Sequence, residues 1–232
     1  MLTRRYGLAD SAAGQLARLL EALAAEPDAH TSISDEAAAV DVHVADALSG
    51  LDVGELRAAR RIADVGAGAG FPGLVLAIAL PEASVDLIES ARRKAAVIDR
   101  LRQAAQVAGA RAVVARAEEW AKAPPALGGG REVYDAVTAR AVAPLAVLVE
   151  YAAPLLRPGG VLVAWKGARH EAEEARGGQA ADEVGLAPVD VLRVEPFNSA
   201  RNRHLHVYRK VAATPERFPR RAGMAAKRPL GR

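Results

Sequence analysis

Strand-like and helix-like hydrophobic patterns alternate along this chain of 232 residues from Arg60 onwards. Short apolar runs typical of buried strands are separated by segments with apolar residues at helical spacing. The strand candidates are, in order, RIADV, SVDLIES, RAVVAR, YDAVTAR, GVLVAWKG, APVDVLRVE and RHLHVYRKV. This alternation predicts an α/β protein with a doubly wound, mostly parallel sheet. The last two strands follow each other after a short link, which predicts an antiparallel hairpin at one edge.

Two helices are predicted before the first strand. Leucines recur at helical spacing over residues 8–25, and a second amphipathic segment covers residues 35–48. Ser34 is a candidate N-cap of the second helix. His43 and Asp46 lie one turn apart on one face of that helix, which predicts either a polar pair near a substrate or a hydrogen bond in helix packing.

Charge is unevenly distributed, although the net charge is only +3. From Pro196 to Arg232 there are ten Lys and Arg and one acid, Glu216, so the rest of the chain is net acidic. A basic tail favours a polyanionic partner such as nucleic acid, and the alternative is a solubilising tail. We divide the chain into an N-terminal helical segment (1–55), a central α/β domain (56–212) and a basic C-terminal tail (213–232).

Composition excludes several classes of site. The absence of cysteine excludes disulfides, thiolate nucleophiles and Cys-based zinc sites. His204 and His206 share one face of a predicted strand, but no third ligand stands at a suitable spacing, so no metal is expected. We find no apolar run of membrane-spanning length and no signal peptide in MLTRRYGLADSAAGQL. The expected location is the cytoplasm.

The richest local signal is a glycine cluster that follows the first strand. Glycines at 66, 68, 70 and 73 let the backbone turn tightly and let a ligand touch it, and the next helix offers its N-terminal N–H groups. Glu89 ends the second strand, so a parallel sheet places its carboxylate beside the loop, where it can hold a ribose diol. These features predict a nucleoside ligand; the alternative is a tight turn without a ligand.

Two nucleoside cofactors fit the glycine cluster. A dinucleotide pattern can be read from Gly68, but the strand ends at Val65, and from Gly66 that pattern would need glycine where Phe71 stands. Asp64 precedes the turn, where an acid suits the amino group of a methionine moiety. The loop therefore favours S-adenosylmethionine over a nicotinamide dinucleotide.

Longer segments resemble a known family. DVGAGAGFPGLVLAIALP, LIESARRKAAVIDRL, ARAEEW, DAVTARAVAPLAVLVEYAAPLLRPGGVLVAWKG and TPERFPRRAGMAAKRPLG together are similar to glucose-inhibited division protein B, the family of small-subunit ribosomal RNA guanine-N7 methyltransferases. The similarity runs from about Val42 to the C-terminus. It implies a class I methyltransferase fold and the use of S-adenosylmethionine to methylate N7 of a guanine in small-subunit ribosomal RNA. The substrate would be free RNA or an assembling subunit. We expect the protein to be a monomer.

The resemblance also implies roles for individual residues. The expected cofactor contacts, to which we add Asp64 from the loop argument, are Gly66, Gly68, Phe71, Glu89, Ala117, Glu118 and Arg140. The residues expected to position the RNA are Arg140, Arg116, Lys166 and His43. The alternative for Arg140 is an ion pair with Glu118 or Asp135, and for Lys166 a solvated strand end.

The chain departs from the family in its N-terminal part. The family's W-N-x-x-x-N-L-T segment reads AEPDAHTSI here, and its R-H-x-x-D-S segment reads VHVADA, which keeps only His43 and Asp46. Both segments belong to the substrate side. Two alternatives therefore stay open: a methyltransferase for a small metabolite, and a ribosome-assembly factor that binds RNA without catalysis.

The expected reaction suits the residues that the chain offers. Guanine N7 carries an in-plane lone pair at neutral pH, so it can attack a sulfonium methyl group without a general base. The absence of cysteine excludes the covalent C5-pyrimidine mechanism. ARAVAPL after strand four lacks the N/D-P-P-Y/F motif of exocyclic-amine methyltransferases. Trp120, Tyr208 and Phe218 are candidates for base stacking or, alternatively, for anchors in the core.

Overall fold

The fold is a seven-stranded sheet between two layers of helices. The structure is a computed structural model that describes residues 2–28 and 36–231. The strands are β1 (Arg61–Val65), β2 (Ser84–Glu89), β3 (Ala110–Val114), β4 (Tyr134–Arg140), β5 (Leu156–Lys166), β6 (Leu186–Val194) and β7 (Arg203–Lys210). Their order in the sheet is β3-β2-β1-β4-β5-β7-β6, and only β7 runs against its neighbours.

This topology confirms the predicted class and adds a detail. β6 and β7 form the predicted antiparallel pair, but β7 inserts between β5 and β6, so the outermost strand β6 runs in the direction of β5. The five strands β1 to β5 are mutually parallel. Their carboxyl ends therefore meet at one edge of the sheet.

Helices follow the strands in the predicted places. Before β1 lie α1 (Leu2–Tyr6), α2 (Ser11–Ala25), α3 (Glu36–Ala39), a π-helical turn (Val40–Ala45), α4 (Asp46–Leu48) and α5 (Gly54–Arg57). After β1 come α6 (Gly73–Ala79), α7 (Arg92–Ala104), α8 (Ala117–Trp120), α9 (Leu145–Ala152), α10 (Glu171–Val184) and α11 (Met224–Lys227). The predicted second helix is helical without a break from Glu36 to Leu48, with the π-helical turn in its middle, and its candidate cap Ser34 lies outside the described residues.

The apolar residues of each strand alternate between two cores, one on each face of the sheet. Ile62 faces the core that includes α2, α4, α6 and α7, and Ala63 faces the core that includes α8, α9 and α10. The strand β5 behaves in the same way, with Val163 on the first side and Leu162 on the second. This period of two is what a sheet covered on both faces requires.

The C-terminal tail is folded onto the second core. Phe218 is buried in this core and Leu230 packs against the same cluster, while Ala225 of α11 is also buried. Arg220 forms a two-pronged ion pair with Glu150 of α9, a carboxylate whose side chain is only 1% exposed. The tail is mostly irregular, as its lack of periodicity predicted, but it is part of the packed body. The division at residues 55 and 212 stays a prediction.

Candidate functional site

The glycine loop is held at the carboxyl end of β1 by backbone hydrogen bonds to β2. The amides of Gly66 and Ala67 both donate to the carbonyl of Ile88, at 2.8 and 3.2 Å. The amide of Gly68 donates to Glu89 Oε2 at 3.1 Å, and the amide of Ala91 donates to Glu89 Oε1 at 2.8 Å. Because both carboxylate oxygens are engaged, Glu89 is fixed beside the loop.

Two glycines of this loop are required for different reasons. Gly66 and Gly68 have φ of 67° and 60°, in the left-handed region. A Cβ on Gly66 would lie 2.7 Å from a methyl carbon of Val142, so the segment after β4 packs directly on this residue. A Cβ on Gly68 would meet only the carbonyl of Gly66 at 3.9 Å. The space beside Gly68 is therefore open, as a loop that receives a ligand against its backbone requires.

Asp64, at the end of β1, supports the glycine loop through two hydrogen bonds. Its side chain is fully buried, Oδ2 accepts from the amide of Gly73 at 3.0 Å, and Oδ1 accepts from Thr138 Oγ1 at 2.8 Å. Burial raises the pKa of Asp64 to about 6, although the two hydrogen bonds favour its ionised form. The carboxylate thus joins β1, β4 and the start of α6, and its expected contact with a methionine amino group stays a prediction.

Phe71, His43 and Arg140 form a second group at this edge of the sheet. The rings of His43 and Phe71 have centroids 4.8 Å apart, and the guanidinium carbon of Arg140 lies 5.9 Å from the centroid of Phe71. Burial, and then the charge of Arg140, lower the pKa of His43, so its ring is neutral at physiological pH. The N-terminal helices thereby reach the glycine loop.

Arg140 is anchored by the N-terminal segment. Its Nη1 donates to Asp46 Oδ2 and to the carbonyl of Val42, both at 2.9 Å. Neither expected partner, Glu118 or Asp135, forms this pair. Asp135 lies near the opposite end of β4, where it binds Arg157 and backbone amides, so the length of the strand separates it from Arg140.

A cavity of about 440 Å³ opens between the carboxyl ends of β4 and β5 and the start of β7. Arg140 and Lys166 both line it, together with Asp46, Trp165, Glu173, Arg203 and His204. Lys166 Nζ lies 2.7 Å from Glu173 Oε1. Lys166 therefore lines the cavity as part of an ion pair and is not a solvated strand end. We call this space the acceptor cavity.

Arg203 is a cavity residue that the sequence analysis missed. It starts β7, and because β7 is antiparallel to β5, its first residues lie beside the last residues of β5. His204, considered earlier only as a metal ligand, shares this position, and its Nδ1 lies 2.9 Å from the carbonyl of Gly167. The reversed strand could have signalled both residues, since its short link was already visible in the sequence.

The residues after β3 lie apart from the acceptor cavity and meet the tail. Arg116 is exposed, whereas Ala117 and Glu118 are buried. The amide of Gly223 in the tail donates to Glu118 Oε1 at 2.8 Å. None of these residues lines the acceptor cavity. Their roles toward cofactor and RNA stay predictions.

The aromatic candidates are core residues. Trp120 is 8% exposed and its Nε1 donates to the hydroxyl of Tyr134 at 2.6 Å, while Tyr208 and Phe218 are each 2% exposed. The core alternative therefore holds for all three.

Within residues 2–28 and 36–231, no cluster of three acids or histidines could hold a metal, and none of the helices has the length and hydropathy of a membrane span.

Comparison with known proteins gives a consistent result. The family profile described as "GidB: rRNA small subunit methyltransferase G" matches residues 13–205. The chain is 44% identical over 191 residues to ribosomal RNA small subunit methyltransferase G of Rubrobacter xylanophilus, covering 81% of this chain and 72% of that one. It is 42% identical over 209 residues to the protein of that name from Roseiflexus castenholzii, covering 86% and 83%.

Solved structures agree on the fold. The crystal structure of cofactor-bound Rv0187 from MTB has a TM-score of 0.57 at 24% identity and covers 84% of this chain and 89% of that one. Methanococcus jannaschii fibrillarin pre-rRNA processing protein has a TM-score of 0.51 at 20% identity, covering 66% and 67%. At these identities the likeness supports the architecture alone. The family profile and the close relatives carry the assignment: the chain belongs to the rRNA small subunit methyltransferase G family.

Proposed function

We propose that this protein transfers the methyl group of S-adenosylmethionine to N7 of a guanine in small-subunit ribosomal RNA, in the cytoplasm. One observation carries the proposal beyond family membership. The open glycine loop with Glu89 and the acceptor cavity with Arg140 and Lys166 lie at the same edge of the sheet, and Val142 and Phe71 connect them. This adjacency supports a methyl donor at the loop and its acceptor in the cavity.

The residues of the loop fit S-adenosylmethionine. Gly68 leaves room for a ligand against the backbone, and Glu89 is fixed where a ribose diol can donate to it. Gly66 shapes the turn, Phe71 offers an apolar wall, and Ala117 with Glu118 forms the adenine side at the end of β3. When bound, the cofactor supplies an electrophilic methyl group on a sulfonium.

The reaction needs alignment and no proton transfer. The lone pair of N7 forms the new bond to the methyl carbon, while the electrons of the carbon–sulfur bond stay on sulfur, so the base gains the positive charge. In this scheme Arg140 and Lys166 hold O6 or phosphate oxygens of the RNA, Arg116 and Arg203 extend the basic surface, and His43 supports Phe71. The protein contributes orientation and exclusion of water.

The direct test combines the purified protein, radiolabelled S-adenosylmethionine and small ribosomal subunits from a strain that lacks this gene. We expect label in 7-methylguanosine after digestion of the RNA to nucleosides. Label in another nucleoside would reject the N7 assignment. Cofactor binding without label in RNA would reject the whole proposal and favour a small-metabolite methyltransferase or a non-catalytic assembly factor.

A further inference from the structure

One oxygen of the acceptor cavity's buried carboxylate has no partner. Asp46 Oδ2 accepts from Arg140, but Oδ1 forms no hydrogen bond with any residue that the structure describes, although the side chain is only 4% exposed. A buried acceptor without a partner destabilises the folded protein, so such a group calls for an explanation, and a role in binding is one. Asp46 also lines the acceptor cavity, where a substrate can supply the missing donor.

The position of Asp46 is fixed by contacts on the acceptor side. Trp165 Nε1 of β5 donates to its backbone carbonyl at 2.8 Å, and Ser49 Oγ donates to the same carbonyl at 2.6 Å. The π-helical turn Val40–Ala45 ends directly before it, and such turns are common at functional sites. Trp165 and Arg140 belong to the acceptor cavity, whereas the glycine loop and Glu89 lie over β1 and β2.

We propose that Asp46 selects guanine by accepting hydrogen bonds from its N1–H and N2–H2 groups through Oδ1, an inference that rests on the proposed function. Among the bases, guanine alone presents two adjacent donors on its Watson–Crick edge. Adenine would place its N1 acceptor against the carboxylate, so it is rejected by repulsion and by the unpaired acceptor. With the Watson–Crick edge on Asp46, N7 on the neighbouring Hoogsteen edge of the base is free to face the methyl donor.

The same contact favours the reaction itself. As N7 takes the methyl group, the purine becomes cationic and its N1–H becomes a stronger donor. The hydrogen bond to an anionic acceptor therefore strengthens toward the transition state, and such differential binding raises the rate. Because Arg140 occupies Oδ2, Oδ1 is the carboxylate oxygen that remains for the base.

The test is a comparison of two substrates with two enzymes. Small subunits are reconstituted with guanosine or inosine at the mapped target position, because inosine lacks only the N2 amino group. The wild-type protein should methylate the inosine subunits with a kcat/KM lower by about 10-fold or more. For Asp46→Asn, which loses the anionic acceptor, the guanosine-to-inosine ratio should fall to within about twofold of unity, with kcat on guanosine reduced. Intrinsic differences between the bases cancel in this comparison of ratios.

Controls separate this role from structural support and from cofactor binding. Glu173→Gln removes another cavity carboxylate that holds a cation, and it should keep the wild-type ratio. Asp46→Ser provides a smaller substitute if the Asn variant does not fold. Equal rates of the wild type on the guanosine and inosine subunits would overturn the proposal. So would an Asp46→Asn variant that keeps the wild-type guanosine-to-inosine ratio while its binding of S-adenosylmethionine, measured by calorimetry, is weakened. Failure of the wild type to methylate guanosine subunits would instead reject the proposed function, and this inference with it.

Discussion

At the scale of single residues, the same backbone conformation serves two different purposes. Gly66 and Gly68 both adopt a left-handed φ, but only Gly66 is enclosed by protein atoms. A side chain at Gly66 would collide with Val142, whereas a side chain at Gly68 would enter open space, where we propose that the cofactor binds. Stability and binding are therefore separable at Gly68.

Gly68→Ala should abolish cofactor binding at a small cost in stability. The left-handed backbone costs an alanine about 1 kcal/mol, and the added methyl group fills the ligand space. Gly7→Ala is a matched control, since Gly7 has a φ of 64° and a Cβ there would meet nothing within 4 Å, much as a Cβ on Gly68 would meet only one carbonyl at 3.9 Å. Both variants should unfold at similar denaturant concentrations, but calorimetry should show S-adenosylmethionine binding only for Gly7→Ala. Equal binding by both would show that the ligand does not approach Gly68.

Asp64→Asn should change how stability depends on pH. The folded pKa of Asp64 is raised to about 6 from 3.8, so its contribution is fully present below about pH 4 and is lost as the pH rises through 6. A difference of about two pH units between the folded and unfolded pKa corresponds to about 3 kcal/mol of unfolding free energy. The free energy of unfolding of the wild type, relative to Asp64→Asn, should therefore fall by about that amount between pH 4 and pH 7 in denaturant titrations. A pH-independent difference would contradict the raised pKa.

At the scale of elements, charged side chains form hydrogen bonds and ion pairs that hold segments whose positions hydrophobic periodicity does not predict. Arg131 donates to the carbonyls of Thr214, Pro215 and Phe218, and the buried Lys210 lies 3.0 Å from Glu132. These contacts hold the start of the tail against the loop before β4. Further along the tail, Arg220 pairs with Glu150, whose carboxylate is almost wholly covered, and this ion pair adds to the apolar contacts of the tail.

Arg220→Ala should release the tail and destabilise the protein by about 3 kcal/mol, since it leaves a buried carboxylate unpaired. Arg221→Ala is the control, because Arg221 is exposed and has no ion pair within the described residues. Limited proteolysis should cut the tail of Arg220→Ala much faster than that of Arg221→Ala. Comparable protection and equal unfolding free energies in both variants would show that the ion pair does not hold the tail.

At the scale of the whole molecule, the tail packs on the body and also carries the basic charges that we propose bind RNA, and a deletion would remove both at once. Removing residues 213–232 would uncover core residues and release Glu118 from Gly223. Cofactor binding would then be lost as well, whereas deletion of a tail that only bound RNA would leave cofactor binding intact. The charges can be tested without disturbing the packing, because Arg221, Lys227 and Arg228 are exposed.

The triple replacement of Arg221, Lys227 and Arg228 by Gln should weaken RNA binding and leave the fold intact. If all three cations contact phosphates, the slope of log K against log salt should decrease by about 2, at about 0.7 for each contact with single-stranded RNA. Thermal unfolding and cofactor affinity should stay unchanged. Arg60→Gln, which lies before β1 at the other edge of the sheet, should leave the slope unaffected. An unchanged slope in the triple variant would favour a solubilising tail.

Sequence patterns predicted the central strands closely because these strands are buried on both faces. RIADV and YDAVTAR have the observed bounds of β1 and β4, and the glycine cluster lies at the end of β1 as expected. The second helix was predicted, but the form of its middle turn was not. Its piece around His43 is a π-helical turn, and the partners of Asp46 come from β4 and β5, about 95 and 120 residues further along the chain.

The sequence by itself determined the class of fold, the glycine loop, Glu89 and the family, because periodicity and local motifs are written in adjacent residues. Only the tertiary structure decided which charges meet. It paired Arg140 with Asp46 and Lys166 with Glu173, brought Arg203 to the acceptor cavity through the reversed strand β7, and folded the tail onto Glu118. Such pairs depend on strand order and direction, which hydrophobic patterns leave open, and on burial, which decides whether a charge must find a partner.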